Sequence, residues 1–183
     1  EHNKLQMNAL HLAAMNGHAD IVAFLITESL RSSPGSRSSL GKLHSSQMSR
    51  NYSSINDNEN NVSKRGKVKF DINQQTSDFS TPLHLACKYG HCEVVKTMVE
   101  RLDSGKSHSL NVNARDKMSC TPLHLATMDG YTNVVEVLLS HPKIDVNAVN
   151  SDSQTPLIIA SRNESTNIVS LLLSTPSIHR DIQ

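Results

Sequence analysis

The chain has 183 residues, 37% of them apolar, enough to bury the core of one ordinary domain and too few for a large two-domain enzyme. Its 18 basic and 17 acidic residues leave a net charge of +1, which removes any whole-chain attraction to nucleic acid or to a membrane surface. No run approaches the roughly 18–20 apolar residues of a membrane span, and Glu1 to Met7 is too polar for a signal peptide, so the expectation is a soluble chain without membrane insertion.

The first predicted element starts at Asn8, in Asn8-Ala-Leu-His-Leu-Ala13, and is followed by Gly17 and the apolar step Ile21-Val22. After Leu30 the composition changes abruptly. Residues 31–69 are rich in Ser and Asn and carry eight basic residues against Asp57 and Glu59, a net +6, while the remainder of the chain is −5. So little apolar surface cannot offset the entropy of ordering, and a disordered insertion is expected. It reads either as a tolerated surface loop or as a regulatory one, with Ser32, Ser33 and Ser38 as candidate phosphorylation sites beside Arg31, Pro34 and Arg37. Lys64-Arg-Gly-Lys-Val-Lys69 reads as a solvated basic edge or as a nuclear-localisation patch. Gly35 to Lys42 imitates a phosphate-binding loop but fails, because five residues separate its glycines and Leu43 stands where a magnesium-binding hydroxyl belongs.

The same pattern then returns three times, as Thr81-Pro-Leu-His-Leu-Ala86, Thr121-Pro-Leu-His-Leu-Ala126 and Thr155-Pro-Leu-Ile-Ile-Ala160. Gly90 and Gly130 keep the offset of Gly17, and Val94-Val95, Val134-Val135 and Ile168-Val169 keep that of Ile21-Val22. Asn73, Asn113 and Asn147 each precede their Thr by eight residues. The physics of each copy is that of a helix pair. Thr caps a helix N-terminus and Pro suits the first helical position, so first helices start at Pro82, Pro122 and Pro156. Gly90 and Gly130 supply the left-handed conformation that ends them. Val94, Val95, Met98 and Val99 then form the apolar stripe of a second helix.

These residues and their spacing resemble the ankyrin repeat family, with its period of about 33 and its T-P-L-H-x-A pattern. The resemblance covers residues 3–30 and about 70–180. It implies an all-α repeat solenoid of stacked helix-turn-helix units with β-hairpin fingers, divided as repeat 1 at 1–30, the insertion at 31–69, repeat 2 at 70–110, repeat 3 at 111–144, and repeat 4 with the start of a further finger at 145–183. The chain reads as an excerpt of a longer array. Departures from the pattern are Ala9 for Pro, Ile158 for His and Glu164 for Gly. Since a Glu at positive φ is strained, the turn at Glu164 is expected to rearrange, with Asn163 taking over.

Catalysis is not expected, and neither a cofactor nor a metal. His11, His84 and His124 occupy one position of successive copies, about one unit apart rather than around an ion, and the resemblance assigns them hydrogen bonds to nearby backbone. Cys87, Cys92 and Cys120 are too few and too scattered for a zinc module and point to reduced thiols in an intracellular setting, cytoplasmic or nuclear. Aromatic residues at 3% argue against a base-stacking surface, so neither nucleic acid nor a small-molecule substrate is expected.

What remains is a binding surface. The resemblance implies that a partner meets the concave face made by finger tips and first helices. Carried over by position, this selects Lys88, Tyr89, Lys117, Met118, Cys120, Met128, Asp129, Asp152, Gln154 and Arg162, with Met7, Asp78 and Ser80 among further positions of that face. Exposed Tyr and Met side chains favour a protein or peptide partner, and the acidic scaffold favours one with basic groups. The implied function is a non-catalytic protein-interaction scaffold. Alternatives are the cytosolic ankyrin segment of a membrane protein such as a cation channel, or the targeting domain of a multidomain kinase or ubiquitin ligase, between which fold alone does not choose.

Overall fold

A computed structural model describes residues 6–31, 71–102 and 109–176. Within them eight helices form four pairs: α1 (Ala9–Met15) with α2 (Ala19–Arg31), α3 (Pro82–Lys88) with α4 (Cys92–Leu102), α5 (Pro122–Met128) with α6 (Thr132–Leu139), and α7 (Pro156–Arg162) with α8 (Thr166–Ser174). First helices lie beside first helices and second helices beside second helices, giving a two-layered stack. The pairs α1–α2 and α3–α4 are in direct contact, so the long stretch between them in sequence does not interrupt the stack. The expected insertion begins one residue inside α2, at Arg31, and the rest of it, with Ser32, Ser33 and Ser38, lies outside the described residues.

The first helices begin as their caps require. Asn8, Thr81, Thr121 and Thr155 are extended, and each side-chain oxygen accepts the backbone N–H three residues on. In three copies a histidine returns the favour: the N–H groups of Asn8, Thr81 and Thr121 donate to Nδ1 of His11, His84 and His124 at 3.3, 3.1 and 3.1 Å. Where the cap is a threonine, whose hydroxyl can also donate to Nδ1, an accepting Nδ1 leaves the ring proton of His84 and His124 on Nε2; at His11 the cap oxygen 2.8 Å from Nδ1 is the amide Oδ1 of Asn8, which only accepts. In all three copies Nε2 faces a carbonyl of the next copy, Ser80 O at 3.2 Å, Cys120 O at 3.1 Å and Gln154 O at 3.1 Å, and at His84 and His124 it donates to that carbonyl. Each imidazole therefore closes its own helix and ties it to the following finger. Burial lowers the pKa of all three below the ordinary 6.5, and the accepting carbonyls offset this only in part. In copy four, Ile158 keeps the Thr155 cap but supplies neither bond.

Between the helices of a pair the chain reverses at a left-handed residue. Gly17, Gly90 and Gly130 have φ of 75°, 72° and 74°. At the first two positions the neighbouring copy also fills the space of a Cβ. A side chain at Gly17 would meet the His91 ring at 2.7 Å and one at Gly90 the Tyr131 ring at 2.6 Å, whereas Gly130 faces nothing within 4 Å. Glu164 corrects the expectation of a rearranged turn. It adopts φ 55° itself while Asn163 stays at −85°, so the three preceding copies impose the turn geometry on a residue that disfavours it.

The fingers are tight turns, and no strand forms among the described residues, in place of the β-hairpins expected. In each, the N–H of Thr76, Asp116 or Asn150 donates to the carbonyl four residues on, and the side-chain oxygen of the same residue accepts that residue's N–H. Phe79, Ser119 and Ser153 close the turns at φ 56–59°. Adjacent fingers are joined by Lys117 N donating to Asp78 O and Ser151 N donating to Met118 O, at 3.0 and 2.9 Å. The recurring Asn acts at the base. Asn73 donates to Ser109 O and accepts from Asn111 N, and Asn113 does the same with Lys143 O and Asp145 N.

The core runs between the layers. Leu83 and Leu123 of the first helices and Val94, Val95, Met98, Val134, Val135 and Leu138 of the second are fully buried. Burial of each large side chain contributes about 1.5–3 kcal/mol before ordering entropy is deducted. Copy one departs from this pattern on one side. Leu12 and Ile21 are exposed where their counterparts Leu85 and Val94 are buried, and Phe24 is 64% exposed.

Two outcomes follow from these contacts. Gly90→Ala meets both positive-φ strain and the Tyr131 ring, so it should destabilise by about 2–3 kcal/mol against about 1 kcal/mol for Gly130→Ala, as read by urea unfolding. Equal costs would mean that the ring is not packed as described. Because the histidine pKa values are depressed in the folded state, their contribution is complete above about pH 6.5 and is lost as pH falls below it, when the unfolded chain takes up protons first. Melting temperature should therefore fall from pH 7.5 to pH 5. His124→Ile should flatten part of that fall while costing about 1–3 kcal/mol at pH 7.5, since it leaves Thr121 N–H and Gln154 C=O without their partner.

Candidate functional site

Stacking places finger turns opposite first helices, and between them runs a groove of about 190 Å³ spanning the first three copies. The finger side supplies Thr76, Asp78, Ser80 and Asp116; the helix side supplies Met15 of α1, His84, Leu85 and Lys88 of α3, Tyr89 at its C-cap, and Leu125 of α5, with Met7 ahead of α1. Its lining mixes apolar and polar groups, with the exposed Asp78 and Lys88 among them. Tyr89 is 46% exposed, its ring stacked on that of His91 with centroids 6.4 Å apart and planes at 30°. The Lys88 ammonium stands 5.9 Å from the Tyr89 ring centroid, within reach of a cation–π attraction.

Of the ten residues selected from sequence, the groove brings together Lys88 and Tyr89. Lys117 and Met118 are exposed at the third finger tip, where the Lys117 ammonium lies 4.0 Å from an Asp78 carboxylate oxygen across open solvent. Asp129 caps the C-terminus of α5, Asp152 sits exposed on the fourth finger, and Arg162 is exposed in the last turn of α7. Met128 is half-buried, and its carbonyl accepts from Asn163 Nδ2. Gln154 is half-buried and spends its carbonyl on His124.

Cys120 is a correction. It is only 3% exposed, its thiol faces Asn150 Nδ2 and its carbonyl receives the His84 proton, so it belongs to the tie between copies and not to the binding face.

Six groove residues went unselected, Met15, Thr76, His84, Leu85, Asp116 and Leu125, and two of them are informative. Met15 aligns with Lys88, Met128 and Arg162, all of which were chosen, so the repeat register alone points to it. Asp116 aligns with Thr76 and Asn150. Its Oδ1 accepts from Met118 N and Cys120 N at 2.9 and 2.8 Å, a turn-forming role that conceals its place on the groove wall.

The repeat histidines are neutral and committed at both ring nitrogens. Burial pushes the thiols of Cys87, Cys92 and Cys120 upward, away from thiolate character, most strongly at the fully buried Cys87. Among the described residues there is no group of three His, Cys, Asp or Glu side chains placed to hold a metal ion, and no helix is long and apolar enough to cross a membrane.

Comparison with known families agrees with this architecture. The family described as ankyrin repeats (3 copies) matches residues 51–150 and 106–182, and the single ankyrin repeat matches residues 6–38. No curated protein matches the chain. Four capped helix pairs in one register, tied by a histidine and matched by family over most of their length, place the chain in the ankyrin repeat family.

Proposed function

We propose that the chain is a non-catalytic interaction module that takes a protein or peptide segment in the groove between its finger turns and first helices. Ankyrin repeats are typically protein–protein interaction modules, and no catalytic domain is identified in this one. The observation that carries the proposal is the grouping of Tyr89, Met7 and Met15 in one open groove walled by hydrogen-bonded turns. A broad aromatic ring and adaptable thioethers supply contact area at low entropic cost, while the turns hold the wall rigid. The groove's neighbours Met118, which is 54% exposed, and Lys117 extend the same face along the third finger.

Capture from a cell lysate with the intact chain should yield a partner whose affinity falls about tenfold or more with Tyr89→Ala. Retention with Glu136→Ala, on the exposed side of α6 away from the groove, is the control. Circular dichroism should be unchanged for both variants. A partner that binds the two variants equally well would overturn the concave-face reading.

A further inference from the structure

The groove carries a charge pattern that narrows the partner. Its lining holds two carboxylates, Asp78 and Asp116, against one ammonium, Lys88. Lys88 is directed to the Tyr89 ring. Asp78 has the exposed Lys117 4.0 Å away, a contact that water and salt screen. Asp116 is half-buried, and both hydrogen bonds to its side chain fall on Oδ1, which leaves Oδ2 to a ligand. Beside these carboxylates the groove offers the Met7 and Met15 thioethers and the Leu85 and Leu125 side chains.

A groove that sets thioethers and leucines beside two carboxylates is complementary to a side chain with a long methylene stem and a cationic head. We infer that the groove receives one long basic side chain, arginine or lysine, from the partner peptide, with its stem along Met7 and Met15 and its cation between Asp78 and Asp116. The inference rests on the concave-face reading and adds the partner's chemistry to it. An acidic side chain is disfavoured because it would enter against both carboxylates. A purely apolar one would bury Asp116 without supplying a counter-charge.

The variants that test this are safe for folding. Asn150 occupies the position of Asp116 in copy four, and its Oδ1 accepts from Asp152 N and Gln154 N in the same way, so Asp116→Asn keeps the turn while removing the charge. Asp78 is exposed, and its structural bond is made through its backbone carbonyl, so Asp78→Asn also preserves the wall.

The experiment is a methyl NMR titration of the whole chain carrying ¹³C-methyl methionine, with N-acetyl-arginine amide as probe and N-acetyl-norleucine amide as its uncharged counterpart. Expected are saturable shifts at Met7 and Met15 with the arginine probe, none at the buried Met98, and about tenfold weaker binding in the Asp78→Asn, Asp116→Asn double variant. Equal shifts with norleucine, or no loss in the double variant, would sink the basic-side-chain assignment while leaving the groove a binding site. Silence of Met7 and Met15 toward both probes would also overturn it, and the Tyr89→Ala capture result then shows whether the concave-face reading falls with it.

Discussion

Everything in this molecule depends on one neutral imidazole repeated along the stack. At His84 and His124 the ring accepts from the N–H of its own helix cap and donates to the finger of the following copy, and His11 spans the same two groups in copy one. Both ends of that bridge are backbone groups, so the tie is insensitive to which side chains the finger carries. It works because the ring is buried. Desolvation keeps it neutral, and neutrality is what allows one nitrogen to accept while the other donates. The recurring histidines, a residue type suited to metal or acid–base chemistry, are therefore the mortar of the scaffold.

The tie has a geometric consequence for binding. By holding each finger against the first helix before it, the histidine sets the width of the trough between finger turns and helices. The links from Asp78 O to Lys117 N and from Met118 O to Ser151 N then set the fingers in a row. The groove wall is thus made of backbone that has already satisfied its hydrogen bonds, and the side chains projecting from it are free to differ between copies. That division explains how a scaffold so repetitive can present Tyr89, Lys88 and Met15 at one end of its face and Arg162 and Asp152 at the other. The turns between the helices of a pair interlock in the same way at Gly17 and Gly90, where the absence of a Cβ admits the His91 and Tyr131 rings of the next copy.

Much of this was legible in the residues themselves. Thr-Pro at a helix start, Gly nine residues later and the paired apolar step are local signals, each with a local physical cause, and the helices begin at Pro82, Pro122 and Pro156 as those signals require. The turn at Glu164 was misjudged because a local rule, the cost of positive φ for a side chain, was outvoted by a stack that needs the same reversal in every copy. Cys120 was misjudged for a similar reason. Position in a repeat identifies the finger but does not fix burial: Ser80 and Gln154 hold the same place and are half-buried, while Cys120 faces Asn150 and is 3% exposed.

Sequence alone determined the unit: its caps, its helix lengths, its apolar stripes and its fourfold recurrence, because these follow from interactions spanning a few residues. Tertiary structure decided what lies between units. That the repeat histidine crosses to the next finger, that Asn73 and Asn113 bridge copies, that Met15 and Asp116 share a groove with Tyr89, and that copy one packs directly on copy two are all contacts between residues roughly 30 to 80 positions apart or more. Local propensity carries no information about such distances, which are set only when the apolar faces of successive helix pairs are pressed together.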